Sequence, residues 1–486
     1  MEEARSLRVF DAVKALAFVG DLSMGQPTDH SLRVAWLAGR LAAASNLTPA
    51  EASVVRETAL LRWSGCTANA PGFADLLLDD VVARAQMLAM RPSWDEAIDA
   101  AGGAHHAVSP LARIHCEVSG EVARILGLSE ATERALRHIF EAYDGSGLPD
   151  RLAGSDIPLA VFIVGLAGDL EALARNYGLA HAQALIHAKA GTKYPQVLAD
   201  RLLADAAGWL AELDAEAQGT LERALLTERM GLFTAPELIA DVADLKLPWM
   251  TGYSRRVARA ALQCCERLGM QGAGDIVYGA GLIHGIGRAA VPNMIWMATT
   301  ALSASAWEKV RLVPYWTSRA GRQITALANE ADTASYGYER LDGSGYFRGV
   351  PEAGIPREGQ VLAAAIAWEA LRSHRPWRRA FTAAQAKAHL LREVQCGRLG
   401  RDIVEAIVNP ERLGKTRRAR AGDSLLSPRE TDVLRHISLG ASNKAAARDL
   451  GLSPSTVATH IESVFRKLEC STRAAATLKA STLGLL

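Results

Sequence analysis

Ser455, Thr456, Thr459, His460, Ser463, Arg466 and Lys467 fall within thirteen residues near the C-terminus. Their spacing puts them on one face of a helix. Hydroxyls, an imidazole, a guanidinium and an ammonium on one face can bond base edges and hold phosphates. The chemistry on offer is therefore recognition of nucleic acid. Other reactive residue types are placed less tellingly. The six cysteines, Cys66, Cys116, Cys264, Cys265, Cys396 and Cys470, form no C-x-x-C pair. That gives neither a zinc spacing nor a disulfide framework, and it suits a reducing compartment. His105-His106 sit in AGGAHHAVSP, which reads as a loop, and Trp307, Trp316 and Trp377 read as core.

The polar face needs a scaffold, and the sequence around it supplies one. Ser427 can cap a first helix, with Pro428 at its first position and Glu430 closing a capping box. Val433, Leu434 and Ile437 make its apolar side, and Gly440 ends it. A second short helix runs from Ser442 to Leu450, Gly451 turns the chain, and Ser453 caps a third helix reaching about Glu469. Val457, Ile461, Val464 and Leu468 lie opposite the polar face and predict its core. Ser471 is read as the cap of a fourth helix extending to Leu483. Two short helices about a tight glycine turn are helix-turn-helix geometry.

This segment resembles the LuxR/GerE-type DNA-binding domain. The resemblance is carried by Ser427-Pro428-Arg429-Glu430, Gly440, Ser442-Asn443-Lys444, Ala447, Leu450, Ser453, Thr456-Val457, His460, Lys467-Leu468 and Arg473. It implies double-stranded DNA as partner, adds Lys444 to the contacting residues, and implies a homodimer paired through the fourth helix. Ala446 stands where the family carries a larger aliphatic residue.

Charge agrees with a nucleic-acid-facing end. Residues 411–486 hold 13 Lys+Arg and 7 Asp+Glu, a net of +6, within a chain whose total is +1. A basic linker is read over 411–423, after Asn409-Pro410 breaks the preceding helix. The composition, 49% hydrophobic and 22% charged, is that of a globular protein, and the Ala, Leu and Arg content favours helix. The N-terminus lacks the apolar core of a signal peptide, and no run approaches the length of a membrane span. The expectation is a cytoplasmic, all-α protein with no membrane partner.

The rest of the chain is an internal repeat. Asp144-Gly145-Ser146-Gly147 recurs as Asp342-Gly343-Ser344-Gly345, Ile157-Pro158 as Ile355-Pro356, and Glu171-Ala172-Leu173 as Glu369-Ala370-Leu371, all at an offset of 198. Upstream, His30–Ala35 matches Tyr253–Ala258 at an offset of 223, so the first copy carries 25 extra residues, placed between Cys66 and Ala112. The expected domains are 1–225, 226–410 and 424–486.

Each copy resembles an HD-type metal-dependent phosphohydrolase domain of the HD-GYP branch, through Glu339–Tyr346, Ile355-Pro356, Trp368–Leu371 and Arg375–Trp377 in the second copy and Glu141–Pro149 in the first. The resemblance implies a helical fold holding two or three metal ions on His and Asp ligands. In the first copy the opening His is His30 and a later one is His115. The His-Asp pair falls at Arg62-Trp63, the His-His before Glu141 at Ile139-Phe140, and the final Asp at Gly168, with Asp169 adjacent. In the second copy these positions are Tyr253, Val313, His284-Gly285, Gly337-Tyr338 and Ile366. The expectation is therefore no metal, no cofactor, no catalytic residue and no enzyme. His30, Arg62, Trp63, His115, Phe140 and Glu141 would instead line a pocket for a small organic, anionic ligand. A metal-dependent cyclic-dinucleotide phosphodiesterase and a protein-interaction scaffold are the alternatives.

Overall fold

The central helix of the first repeat copy, Val9–Ser23, is apolar on every side, and 14 of its 15 residues are buried. A helix of that kind is stable only when others surround it. His30–Ala44, Pro49–Leu61 and Asp80–Leu88 pack on it, and Leu159–Tyr177 packs on the first two of these, with Ser109–Ile125 completing the site-bearing set. The computed structural model, which describes residues 6–409 and 425–486, is all-α apart from a two-residue strand pair, Leu7–Arg8 with Phe233–Thr234. The expected basic linker 411–423 lies outside the described residues. Among the described residues, no helix is long and apolar enough to cross a membrane.

The chain forms two compact units, Ser6–Thr234 and Ala235–Leu486, the second holding both the second copy and the C-terminal module. The repeat survives as local geometry. The helix His30–Ala44 and its counterpart Tyr253–Arg267 are each 15 residues long. Both are held at their start by a buried aspartate. Asp21 accepts from the Ser31 N–H and hydroxyl at 3.0 and 2.6 Å, and Asp244 from those of Ser254 at 2.8 and 2.8 Å. The Asp-Gly-Ser-Gly turns also coincide, with Asp144 accepting from Ser146 N–H at 2.9 Å and Asp342 from Ser344 N–H at 3.0 Å. Gly145 and Gly343 have φ of 80° and 77°, a conformation that disfavours side chains.

The extra residues of the first copy form the helices Ala70–Leu77, Asp80–Leu88 and Pro92–Ala100 and one turn, Ala104–Ala107. That turn contains His105-His106, expected as loop. Trp307 and Trp377 are 43% and 50% exposed, so the expectation that they are core residues does not hold.

The C-terminal module has helices at Pro428–Ser438, Asn443–Leu450, Pro454–Leu468 and Arg473–Thr482. The capping box of Ser427 and Glu430 forms, Gly451 turns left-handed, and Ser453 caps the third helix. Val433, Leu434, Ile437, Val457, Ile461, Val464 and Leu468 make the core, with Ala446 buried among them. The fourth helix is capped by Thr472, not Ser471, because the Thr472 side chain accepts from the Ala475 N–H at 3.3 Å.

Candidate ligand cleft and nucleic-acid interface

Helix ends deliver the first copy's site. Thr48 and Glu51 form a capping box that starts Pro49–Leu61, and that helix ends by presenting Arg62 and Trp63. His30 opens its own helix. Leu159–Tyr177 carries Gly168, Asp169 and Glu171 on its buried side.

These elements place a guanidinium where ligands to a metal would converge. Arg62, 4% exposed, donates from Nη2 to His30 Nε2 at 2.5 Å. The other imidazole nitrogen, Nδ1, donates to Glu171 Oε2 at 2.5 Å, so His30 is a neutral Nδ1–H tautomer. Burial holds His30 down at about 4. Burial alone would raise the Glu171 carboxyl, but the bonds from His30 and Arg175 hold it well below the usual carboxylate range. Arg62, drawn down by burial to about 10, stays cationic at neutral pH. A Cβ at Gly168 would overlap Arg62 Nη1. The aspartate that the resemblance expects there is absent, and the arginine fills its space.

The second copy reaches the same arrangement through different residues. Arg288 Nη2 donates to His284 Nε2 at 2.8 Å, and His284 Nδ1 donates to the Gly281 carbonyl at 2.6 Å. A Cβ at Gly285 would overlap Arg288 Nη1. Tyr253, at the position of the opening histidine, lies under Arg288 with the guanidinium 5.3 Å from its ring centre. Arg288 was not singled out in the sequence. It lies three residues beyond Gly285, where the resemblance expects an aspartate, and only the fold shows it turning back.

These donor sets do not fit a metal centre. The imidazole nitrogens of His30 and His284 that could bind a cation already accept from a guanidinium, and its positive charge would repel an ion. Elsewhere, His138, Glu141 and Asp150 bring one donor atom each within 4.8 Å of one another. There the Glu141 carboxylate already accepts from the Asp150 and Leu152 N–H groups at 2.8 and 3.0 Å, and Asp150 pairs with Arg113 at 3.1 Å.

Arg62 also faces a cleft of about 630 Å³, lined by Trp63, Phe140, Lys189, Lys193 and Tyr194 among others. Trp63 and Phe140 stack at 6.1 Å, and Arg62 lies 4.5 Å from the Trp63 ring centre. Lys193 pairs with Asp169 at 2.7 Å on the cleft wall. The cleft thus joins cations with aromatic faces. Of the six expected pocket residues, Arg62, Trp63, Phe140 and Glu141 line it. His30 is fully buried behind Arg62, and His115 lines a separate cavity with Trp63 and Phe140.

In the C-terminal module Lys444, Ser455, Thr456, Thr459 and Arg466 are exposed, and His460 is half-buried. Lys467 is exposed and Ser463 half-buried, and both also have a partner inside the module. The Ser463 hydroxyl and the Lys467 ammonium both donate to the Glu430 carboxylate at 2.7 Å, tying the third helix to the first.

Residues 237–403 match the HD domain family, and residues 424–480 match the bacterial regulatory proteins of the luxR family. Over 406 residues the chain is 25% identical to a 3'3'-cGAMP-specific phosphodiesterase of Vibrio cholerae, covering 76% of this chain and 87% of that protein. A crystal structure of a cyclic GMP-AMP specific phosphodiesterase of V. cholerae superposes with a TM-score of 0.59 at 22% identity, covering 83% of this chain and 97% of that one, a likeness of fold. The C-terminal part is 41% identical over 88 residues to the probable transcriptional regulatory protein NarL of Mycobacterium tuberculosis, covering 18% of this chain and 41% of that protein. The expectation that the chain is not an enzyme is overturned by the likeness to a phosphodiesterase across three quarters of its length, which points toward enzymatic activity. The chain therefore carries an HD domain followed by a C-terminal luxR-family helix-turn-helix, the DNA-binding part of a regulator.

Proposed function

We propose that this chain is a cytoplasmic, homodimeric DNA-binding regulator whose first repeat copy binds a 3'3'-linked cyclic dinucleotide in the cleft beside Arg62. The observation that carries the reading is the meeting of Arg62, Lys189 and Lys193 with the rings of Trp63, Phe140 and Tyr194 in one cleft. A cyclic dinucleotide offers two phosphates to the cations and two purines to the rings. The likeness to a 3'3'-cGAMP-specific phosphodiesterase supports the same ligand class. Lys444, Ser455, Thr456, Thr459, His460 and Arg466 then contact DNA. Coupling requires that the dinucleotide bind the DNA-competent and DNA-free states with different affinity.

The test is calorimetric titration of the chain with 3'3'-cGAMP, followed by selection of bound duplexes from a random-sequence pool with and without it. The reading expects saturable binding, about tenfold weaker in Lys193→Ala, and a changed yield of bound duplex. No heat at millimolar ligand would remove it. A second reading, hydrolysis of 3'3'-cGAMP, is favoured by the phosphodiesterase likeness. Chromatography of the same incubation for a linear dinucleotide distinguishes the two.

A further inference from the structure

Trp63 and Phe140 line a second cavity besides the cleft, with a volume of about 230 Å³. Much of its wall comes from segment 67–111, the one that makes the first copy longer than the second, through Phe73, Met87, Trp94 and Ile98. Close packing is the rule in protein interiors, and an apolar void of about 150 Å³ suffices for one benzene ring. This space is therefore sized for one or two fused rings. Its walls suit them, since they include two stacked aromatic pairs, Trp63 with Phe140 at 6.1 Å and Phe73 with Trp94 at 6.2 Å.

The polar groups around the cavity exclude a charged occupant. Arg84, 1% exposed, donates to the Ser23 and Cys66 carbonyls, Asn69 Oδ1 and Asp80 Oδ2. His115 is fully buried and donates from Nε2 to the Arg62 carbonyl at 2.8 Å, and burial holds it neutral. The Cys66 thiol donates to Met24 Sδ at 3.3 Å.

We infer that this cavity binds a small, uncharged, one- or two-ring aromatic compound. The occupant is neutral, so the inference stands apart from the dinucleotide reading of the neighbouring cleft. Equilibrium dialysis of the full chain at pH 7.5 against naphthalene tests it. One molecule is expected per chain. Ala112→Leu fills the cavity and should abolish binding, as should Val108→Phe, which fills it from the adjoining turn if Ala112→Leu does not fold. Failure of naphthalene to bind, or binding retained in a folded filled variant, overturns the assignment.

Discussion

Arg62 donates to His30 Nε2 at 2.5 Å, and this contact closes the first copy's buried site. The imidazole passes the interaction on to Glu171, and Gly168 leaves the room that the guanidinium occupies. Arg288, His284 and Gly285 repeat the arrangement in the second copy, from different positions in the repeat. Removing the guanidinium leaves the buried His30 Nε2 without its donor, and an unmet buried acceptor costs about 1–3 kcal/mol. Arg62→Met should therefore lower the unfolding free energy by that order. Gly168→Ala should also destabilise, because its methyl meets Arg62. On the Arg62→Met background the same change should become neutral or mildly stabilising, since alanine favours helix over glycine by about 1 kcal/mol. Urea unfolding of the two single variants and the double variant measures the coupling. Additive costs would show that Gly168 and Arg62 do not compete for one space.

Metal removal gives a second check. With each site's accepting imidazole nitrogen taken by a guanidinium, neither copy should gain stability from a divalent ion. Dialysis against EDTA should leave the melting temperature within about a degree. Adding Mn²⁺ at 100 times a site's Kd would raise stability by about 2.7 kcal/mol if a native-state site existed. A rise of several degrees on Mn²⁺ addition, enlarged in Arg62→Met, would instead place the ion at the His30 nitrogen.

His115 makes a pH-dependent contribution whose sign follows from its burial. Burial lowers its pKa from 6.5 to about 3. A group whose folded pKa is depressed contributes stability above its unfolded pKa and loses it as pH falls toward the folded one. Comparison with His115→Gln, which cannot titrate, isolates this from other groups. The wild-type advantage over the variant should be constant above about pH 6.5 and shrink by about 1.4 kcal/mol per unit below it. Chemical unfolding at pH 7.5, 6 and 5 reads the difference. A gap independent of pH would mean that His115 is not held neutral.

Much of this was legible in the sequence because the relevant signals are local. Capping boxes, glycine turns and three-to-four apolar spacing set the C-terminal helices to within a residue or two, apart from the cap that moved from Ser471 to Thr472. The offset of 198 anticipated that Asp144 and Asp342 make the same turn. What stayed hidden depends on contacts distant in the chain. Arg288 reads as an ordinary cation after a glycine, and only the fold brings it onto His284. Glu171 appeared as part of a repeated tripeptide, with no sign that it would accept a hydrogen bond from a histidine 141 residues away. Exposure of Trp307 and Trp377 was missed because an aromatic residue gives the same sequence signal whether it faces the core or solvent.

Lys467 is the last case, where the fold changes what a substitution should do. Its spacing beside Arg466 suggests a phosphate contact, yet its ammonium is 2.7 Å from Glu430 Oε2, while Ser463 holds Oε1. Burial would raise Glu430, but the bonds from Lys467, Ser463 and the Ser427 backbone hold the carboxyl down at about 2. Lys467 therefore fastens the recognition helix to the first helix of the module. Lys467→Ala should lower the module's melting temperature and leave the salt dependence of DNA binding nearly unchanged. Arg466→Ala, on an exposed residue, should keep the melting temperature and reduce the slope of log K against log salt by about 1. Thr456→Ala and His460→Ala should shift which duplexes are selected from a random pool. Fluorescence anisotropy between 50 and 200 mM salt on a selected duplex separates the two roles. A unit loss of slope in Lys467→Ala would mean that DNA draws the ammonium away from Glu430, and Glu430→Gln should then strengthen binding.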